Sequence, residues 1–176
     1  MAGMGRIRAG AVAVGCVVVL AAGCGAGRPA PPAAQVTSPA AGGPPAGPQR
    51  RVLAARYLAI ARAGNRRLEI DFGRLDGRDR SHLTAAEADL RDAASTERLF
   101  DRRLMRITFP PATETAARLL YRVNQSRARL TAAAAASRSL RQLHLDEPQL
   151  TAANRPVEQA VRAIRRQLGL PPPPTS

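Results

Sequence analysis

The two histidines of the chain, His82 and His144, have the residue type best suited to metal binding or acid–base chemistry. Carboxylates stand near both of them in the sequence: Asp76, Asp79, Asp146 and Glu147. Imidazole and carboxylate groups together could bind a divalent cation. The Glu-x-x-His pairs of carboxylate-bridged metal sites in helix bundles are absent, however. The pattern therefore favours turn caps and exposed histidines, and we assign no metal.

No other set of residues has the spacing of a catalytic site. The sequence contains no Gly-x-Ser-x-Gly elbow, no phosphate-binding loop, no His-Glu-x-x-His motif and no Cys/His cluster. Most acidic residues alternate with arginines, which is typical of the exposed face of a helix. We therefore predict a protein that is not an enzyme and that uses no cofactor.

The only two cysteines, Cys16 and Cys24, lie close together near the N-terminus, and each follows a glycine. Such a pair cannot form the disulfide framework of a domain. The segment around them has the three parts of a secretory signal peptide. Arg6 and Arg8 carry positive charge, an uncharged stretch follows from Ala9 to Gly27, and small residues precede the second cysteine.

Residues 20–24, Leu-Ala-Ala-Gly-Cys, resemble the lipobox of bacterial lipoproteins, which ends in the cysteine that receives the lipid. The resemblance implies a signal peptide over residues 1–23 and lipidation of Cys24, with chains such as palmitate. It also implies a place on the extracytoplasmic face of the cell membrane. One departure is that alanine, not leucine, stands three residues before the cysteine.

Two alternatives concern the same segment. Cleavage at Cys16 would leave too short a hydrophobic region, because a signal peptide needs about 7–15 apolar residues. An uncleaved membrane span needs about 20 predominantly apolar residues. The uncharged stretch has 19 residues, of which eleven are alanine or glycine, and these contribute little transfer free energy. We therefore favour the lipoprotein signal over a span.

Composition then divides the rest of the chain into a spacer, a domain and a tail. Residues 24–48 contain the cysteine and a segment rich in proline, glycine and alanine, which predicts a disordered tether. Apolar residues recur at spacings of three and four between residues 49 and 170, the pattern of amphipathic helices. The proline-rich residues 171–176 are predicted to be a disordered tail.

The helical region is predicted to form four helices, at about 50–75, 82–107, 111–144 and 147–168. Turn-forming residues separate them, and no stretch alternates with a period of two. Short connections make consecutive helices antiparallel neighbours. The fold class is therefore all-α, an up-down-up-down four-helix bundle, with a three-helix bundle as the alternative.

Helix ends and core faces are predicted from local patterns. Thr84 and Glu87 fit a capping box at the start of the second helix, and Asp146 is expected to cap the fourth, with Pro148 in its first turn. Pro156 should kink the fourth helix or shift its start. The core stripe of the third helix is expected to comprise Leu119, Val123, Ser126, Leu130, Ala133, Ser137 and Leu140. The polar residues that follow core positions are expected to set the register of the bundle: Asn65, Asn124 and Asn154.

Charge is distributed unevenly along the predicted bundle. All 27 basic residues are arginine, and the formal net charge is +14. In an up-down-up-down topology residues 50–58, 98–120 and 160–168 share one end, the basic end, where eleven arginines face two acidic residues for a net charge of +9. Residues 68–82 and 138–150 form the far end, with a net charge of −1.

The basic end is also where the tether attaches, so a lipid on Cys24 would hold it near the bilayer. Basic residues close to anionic headgroups are attracted to the membrane surface. The arginines expected to contact an anionic surface are Arg50, Arg51, Arg102, Arg103, Arg106, Arg162, Arg165 and Arg166.

The sequence as a whole predicts a lipid-anchored envelope protein that acts through contacts with lipid, an envelope polymer or a protein partner. Its isoelectric point of 11.7 would suit nucleic acid, but export and the shortage of aromatic residues for base stacking argue against that partner. The domain is similar in composition to the small helical lipoproteins of actinobacteria. The alternative is a carrier of a small ligand or metal, bound in the bundle interior or at the end with His82 and His144.

Overall fold

The computed structural model describes residues 47–173, and they form four helices without a strand. The helices are α1 (Gly47–Asp76), α2 (Leu83–Leu104), α3 (Pro111–Ala134) and α4 (Leu140–Gln167). The predicted all-α four-helix bundle is confirmed, with four helices rather than three. The predicted signal peptide, Cys24 and the tether up to residue 46 lie outside the described residues. Because α1 begins at Gly47, the last two residues assigned to the tether belong to the bundle.

The start of α2 differs from the predicted capping box. His82 is the N-cap residue, in an extended backbone conformation, and no side chain caps this end. Glu87 instead pairs with Arg91 one turn later, with 3.6 Å between Oε2 and Nη2. Gly77 follows the end of α1, where a Cβ would lie only 3.0 Å from the carbonyl oxygen of Gly73.

The boundary between α3 and α4 also differs from the prediction. The third helix ends at Ala134, ten residues before the predicted end at 144, and Ser139 replaces Asp146 as the cap of α4. The Ser139 hydroxyl accepts the backbone N–H of Gln142 at 3.1 Å, and such a cap stabilises a helix start. Pro148 and Pro156 therefore lie inside α4.

The core consists of two apolar clusters. The larger cluster contains Leu53, Leu104, Ala116 and Ile164, and thus brings together the start of α1, the end of α2, the start of α3 and the end of α4. The smaller cluster lies at the far end: Ala86, Leu90, Ala134, Ala135 and Leu143. Both clusters lie between Gly47 and Leu170, so a fragment beginning at Gly47 keeps the whole apolar core.

The α3 helix presents a different face to the core from the predicted one. Leu119 is 41% exposed, and Ser126 and Ala133 are also exposed. Of the predicted stripe, Val123 packs partly buried against the larger cluster, and Ser137, beyond the end of α3, is buried. The residues that α3 buries are Thr113, Ala116, Ala117, Leu120, Asn124, Arg127, Ala128, Thr131 and Ala134. The buried stripe of α3 is therefore displaced by one residue, about 100°, from the predicted stripe. It includes Asn124 and Arg127, which contact acidic side chains of α2.

The helices pack most closely in chain order: α1 on α2, α2 on α3, and α3 on α4. By contrast, α1 and α4 approach each other less closely. The far-end cavity described below lies along this looser seam.

Candidate functional site

The basic end has the strongest charge of any part of the described bundle. Seven of the eight arginines predicted to contact an anionic surface are exposed: Arg50, Arg51, Arg102, Arg103, Arg106, Arg162 and Arg166. Arg102 and Arg103 lie in the last turn of α2 and Arg166 in the last turn of α4. Cations are favourable there because of the helix dipole.

Arg165 is the exception, and the prediction of a surface contact is wrong for it. The residue is only 4% exposed, because it follows Ile164 on the buried face of α4. Its Nε donates to the carbonyl oxygen of Pro171 at 2.6 Å. Pro171, the first residue of the predicted disordered tail, is therefore tied to the bundle. Burial also raises the pKa of the nearby Tyr57 hydroxyl, while the positive charge of Arg165 opposes that shift.

The two acidic residues of the basic end leave its surface positive. Asp101 is 3% exposed; burial raises the pKa of its carboxyl to about 7, although a hydrogen bond from Asn124 works in the opposite direction. Glu114 is paired with Arg118 at 2.6 Å. Four large apolar side chains are also exposed within the basic end: Val52, Leu99, Met105 and Leu119.

A polar layer separates the two apolar clusters along α2 and α3. It consists of Glu97 and Asp101 from α2 and Asn124 and Arg127 from α3. The Nε of Arg127 lies 3.3 Å from Oε1 of Glu97, with side chains only 6% and 1% exposed. The Nδ2 of Asn124 donates to Oδ1 of Asp101 at 2.9 Å. Burial raises the pKa of Glu97, and Arg127 opposes the shift.

The polar layer was only partly predicted. The burial of Asn124 agrees with its expected place in the core. Asn65 and Asn124 both line a small cavity of about 30 Å³. Asn154 lines a different cavity, at the far end. The prediction missed Glu97, although a signal existed: this residue occupies the gap in the stripe between Ala93 and Phe100 at the correct helical spacing.

The two histidines are not brought together as a site. His82 is exposed at the start of α2, and His144 is exposed on α4, with its Nε2 3.9 Å from Oε1 of Glu147. Among residues 47–173, no three His, Cys, Asp or Glu side chains are grouped so that they could hold a metal ion. His144, but not His82, lines the far-end cavity.

The far-end cavity has a volume of about 80 Å³ and lies between α1 and α4 above the smaller apolar cluster. Its apolar walls are Phe72, Leu75, Leu90, Leu143 and Leu150. Two buried polar side chains, Arg127 and Thr131, form its floor. The mouth is lined by charged or partly exposed side chains: Asp76, Arg80, His144, Glu147 and Thr151.

The class of protein that these features define is a small four-helix bundle with a basic end, a buried polar layer and a cavity at the far end. Comparison with models of known protein families, with curated proteins and with solved structures gives no match. None of the four described helices is both long enough and apolar enough to cross a membrane. A function must therefore be argued from the geometry.

Proposed function

We propose that this protein is a lipid-anchored, non-enzymatic envelope protein whose bundle docks its basic end on the anionic surface of the membrane. The observation that carries the proposal is the charge of that end. Seven of the predicted arginines are exposed there, while Asp101 is buried and Glu114 is paired with Arg118.

The proposed lipid on Cys24 would supply the first anchoring signal. The tether that follows is long enough to reach several tens of ångströms, and it leads to α1 at the basic end. Lipid chains combined with a polybasic patch attach a protein to an anionic membrane through two signals, one hydrophobic and one electrostatic. The basic end would be that second signal.

The expected energy is sufficient for docking. Each arginine close to an anionic leaflet contributes about 1 kcal/mol, within a Debye length of roughly 8–10 Å. Simultaneous contact of three or four arginines would therefore contribute several kcal/mol. The exposed Val52 and Met105 side chains can add burial at the headgroup level.

Vesicle flotation with the fragment Gly47–Ser176 tests the docking without the lipid. We expect binding to vesicles that contain phosphatidylglycerol, little binding to phosphatidylcholine alone, and a decrease as salt is added. The double variant Arg102→Gln/Arg103→Gln should bind about 30-fold more weakly, which corresponds to about 2 kcal/mol for two arginines.

The matched control is Arg138→Gln/Arg141→Gln, which removes two exposed arginines from the far end. This variant should bind as the parent does. Equal weakening by both pairs would mean that only net charge matters, and binding without dependence on lipid charge would contradict docking altogether. Binding to an isolated envelope polymer in place of vesicles would identify a different surface and would also overturn the membrane proposal.

A further inference from the structure

The far-end cavity contains one fully buried cationic side chain. Arg127 is 5% exposed and forms part of the cavity floor. Its guanidinium stands over the ring of Phe72, with Cζ 5.6 Å from the ring centroid. Phe72 itself belongs to the apolar wall, so one cavity combines an apolar surface with a buried guanidinium, which is paired with Glu97.

We propose that this cavity binds a small monocarboxylic acid with an apolar chain, and that Arg127 pairs with its carboxylate. The ligand would enter along the seam between α1 and α4, where the helices approach each other less closely. Its chain would pack against Leu75, Leu143 and Leu150. The proposal is independent of docking at the basic end, since it uses none of the same residues.

The chemistry of Arg127 favours an anionic group. Its closest approach to Glu97 uses Nε, at 3.3 Å. A guanidinium carries five N–H donors, four of them on its two terminal nitrogens, and these four are not the group that lies closest to Glu97. Arginine binds carboxylates through two parallel hydrogen bonds, a geometry that an alcohol or an amide oxygen cannot match in strength. The attraction between the guanidinium and the ring of Phe72, 5.6 Å away, also holds the side chain of Arg127 at the cavity.

The cavity size and its mouth restrict the ligand further. A volume of about 80 Å³ is several times what one water requires but only about half of an engineered cavity that takes benzene. The carboxylate and the first carbons of the ligand would therefore lie inside the cavity, and the rest of the chain would extend along the apolar walls toward the mouth. Asp76 and Glu147 at the mouth face outward-directed parts of the ligand. These two carboxylates outnumber the one guanidinium of the mouth, Arg80, so a second carboxylate is disfavoured there, which is why we specify a monocarboxylic acid.

Titration of the purified chain with hexanoate, followed by calorimetry or ligand-observed NMR, tests the proposal. Hexanamide is the neutral control with the same chain, and adipate is the control with a second carboxylate. We expect hexanoate to bind at least tenfold more tightly than either. Equal affinity for hexanoate and hexanamide, or no binding of hexanoate, would overturn the assignment.

Variants separate recognition of the charge from occupation of the cavity. The double variant Arg127→Met/Glu97→Gln removes both charges of the buried pair, an exchange that folded proteins usually tolerate. It should bind hexanoate no better than hexanamide. If it kept the preference for hexanoate, Arg127 would not be the recognition group.

A second pair of variants tests the location of the ligand even if that double variant does not fold. Leu150→Phe fills the cavity from α4 and should reduce hexanoate binding at least tenfold, with an unchanged helical circular dichroism spectrum. Leu145→Phe is the matched control, because Leu145 is on the same helix, is 64% exposed and does not line the cavity. Equal binding by both variants would place the ligand elsewhere.

Discussion

The buried carboxyl of Asp101 should make the protein less stable as pH rises. Burial raises the pKa of its carboxyl from 3.8 to about 7. The folded state therefore holds a proton that the unfolded state releases between about pH 4 and pH 7. Stability falls as pH rises through that window, by about 1.4 kcal/mol per pH unit, and becomes constant above it. Over the whole window the free energy of unfolding would fall by roughly 4 kcal/mol, which is an upper limit.

The substitution Asp101→Asn isolates this effect. An asparagine oxygen can still accept the hydrogen bond that Asn124 donates at 2.9 Å, but the side chain stays neutral at every pH. We expect the variant to differ from the parent by no more than about 1 kcal/mol at pH 5. At pH 8 it should be more stable than the parent by about 2–4 kcal/mol.

Urea unfolding of the fragment Gly47–Ser176, followed by far-UV circular dichroism at pH 5, 6, 7 and 8, measures these differences. Burial also raises the pKa of Asp89, to about 6, so the slope of stability against pH in the Asp101 variant should be smaller than in the parent but not zero. Glu69→Gln, at an exposed position of α1, is the control and should keep the parent slope. Parallel curves of unfolding free energy against pH for the parent and Asp101→Asn would mean that the pKa of Asp101 is not raised in the folded state.

Two further predictions concern the corrected helices, and both are read from urea midpoints. Leu120→Ala should lower the free energy of unfolding by about 2–5 kcal/mol, because Leu120 is 1% exposed. Leu119→Ala should change it by no more than about 0.5 kcal/mol. The reverse order would mean that α3 buries the face predicted from the sequence. Ser139→Ala should lower the free energy of unfolding by about 1 kcal/mol, because it removes the hydroxyl that accepts the backbone N–H of Gln142. Thr84→Ala should lower it by less. Equal losses would argue against Ser139 as the cap of α4.

The fold could be predicted from apolar periodicity because three of the helices follow it. The predicted stripe of α4 agrees with the structure at Val157, Val161 and Ile164, which are all buried. The same reasoning assigned the wrong face of α3 to the core, because Leu119 and Leu130 form an apolar stripe one residue away from the buried stripe. Periodicity measures hydrophobicity alone, and it cannot reveal that Arg127 and Asn124 find buried partners on another helix.

The candidate sites, like the fold, could be predicted from the sequence only in part. Exposed arginines at the basic end follow from topology and charge, which the sequence contains. The burial of Arg165 does not, because it depends on the path of the chain after α4, where Pro171 accepts its hydrogen bond. The far-end cavity also depends on the spacing of α1 and α4, a tertiary property. Of the polar residues that line this cavity, Asn154 was predicted as a core polar group, and Arg127 and Thr131 were not.

Docking by the basic end is the central claim, and site-specific fluorescence measures it most directly. The fragment Gly47–Ser176 contains no cysteine, so Thr108→Cys in the turn between α2 and α3 and Ser81→Cys in the turn between α1 and α2 can each carry a single polarity-sensitive label. Both positions are exposed, the first at the basic end and the second at the far end. With vesicles that contain phosphatidylglycerol, docking by the basic end should give a blue shift for the label at residue 108 and none at residue 81. A shift at residue 81 alone, at both positions equally, or at neither would contradict it.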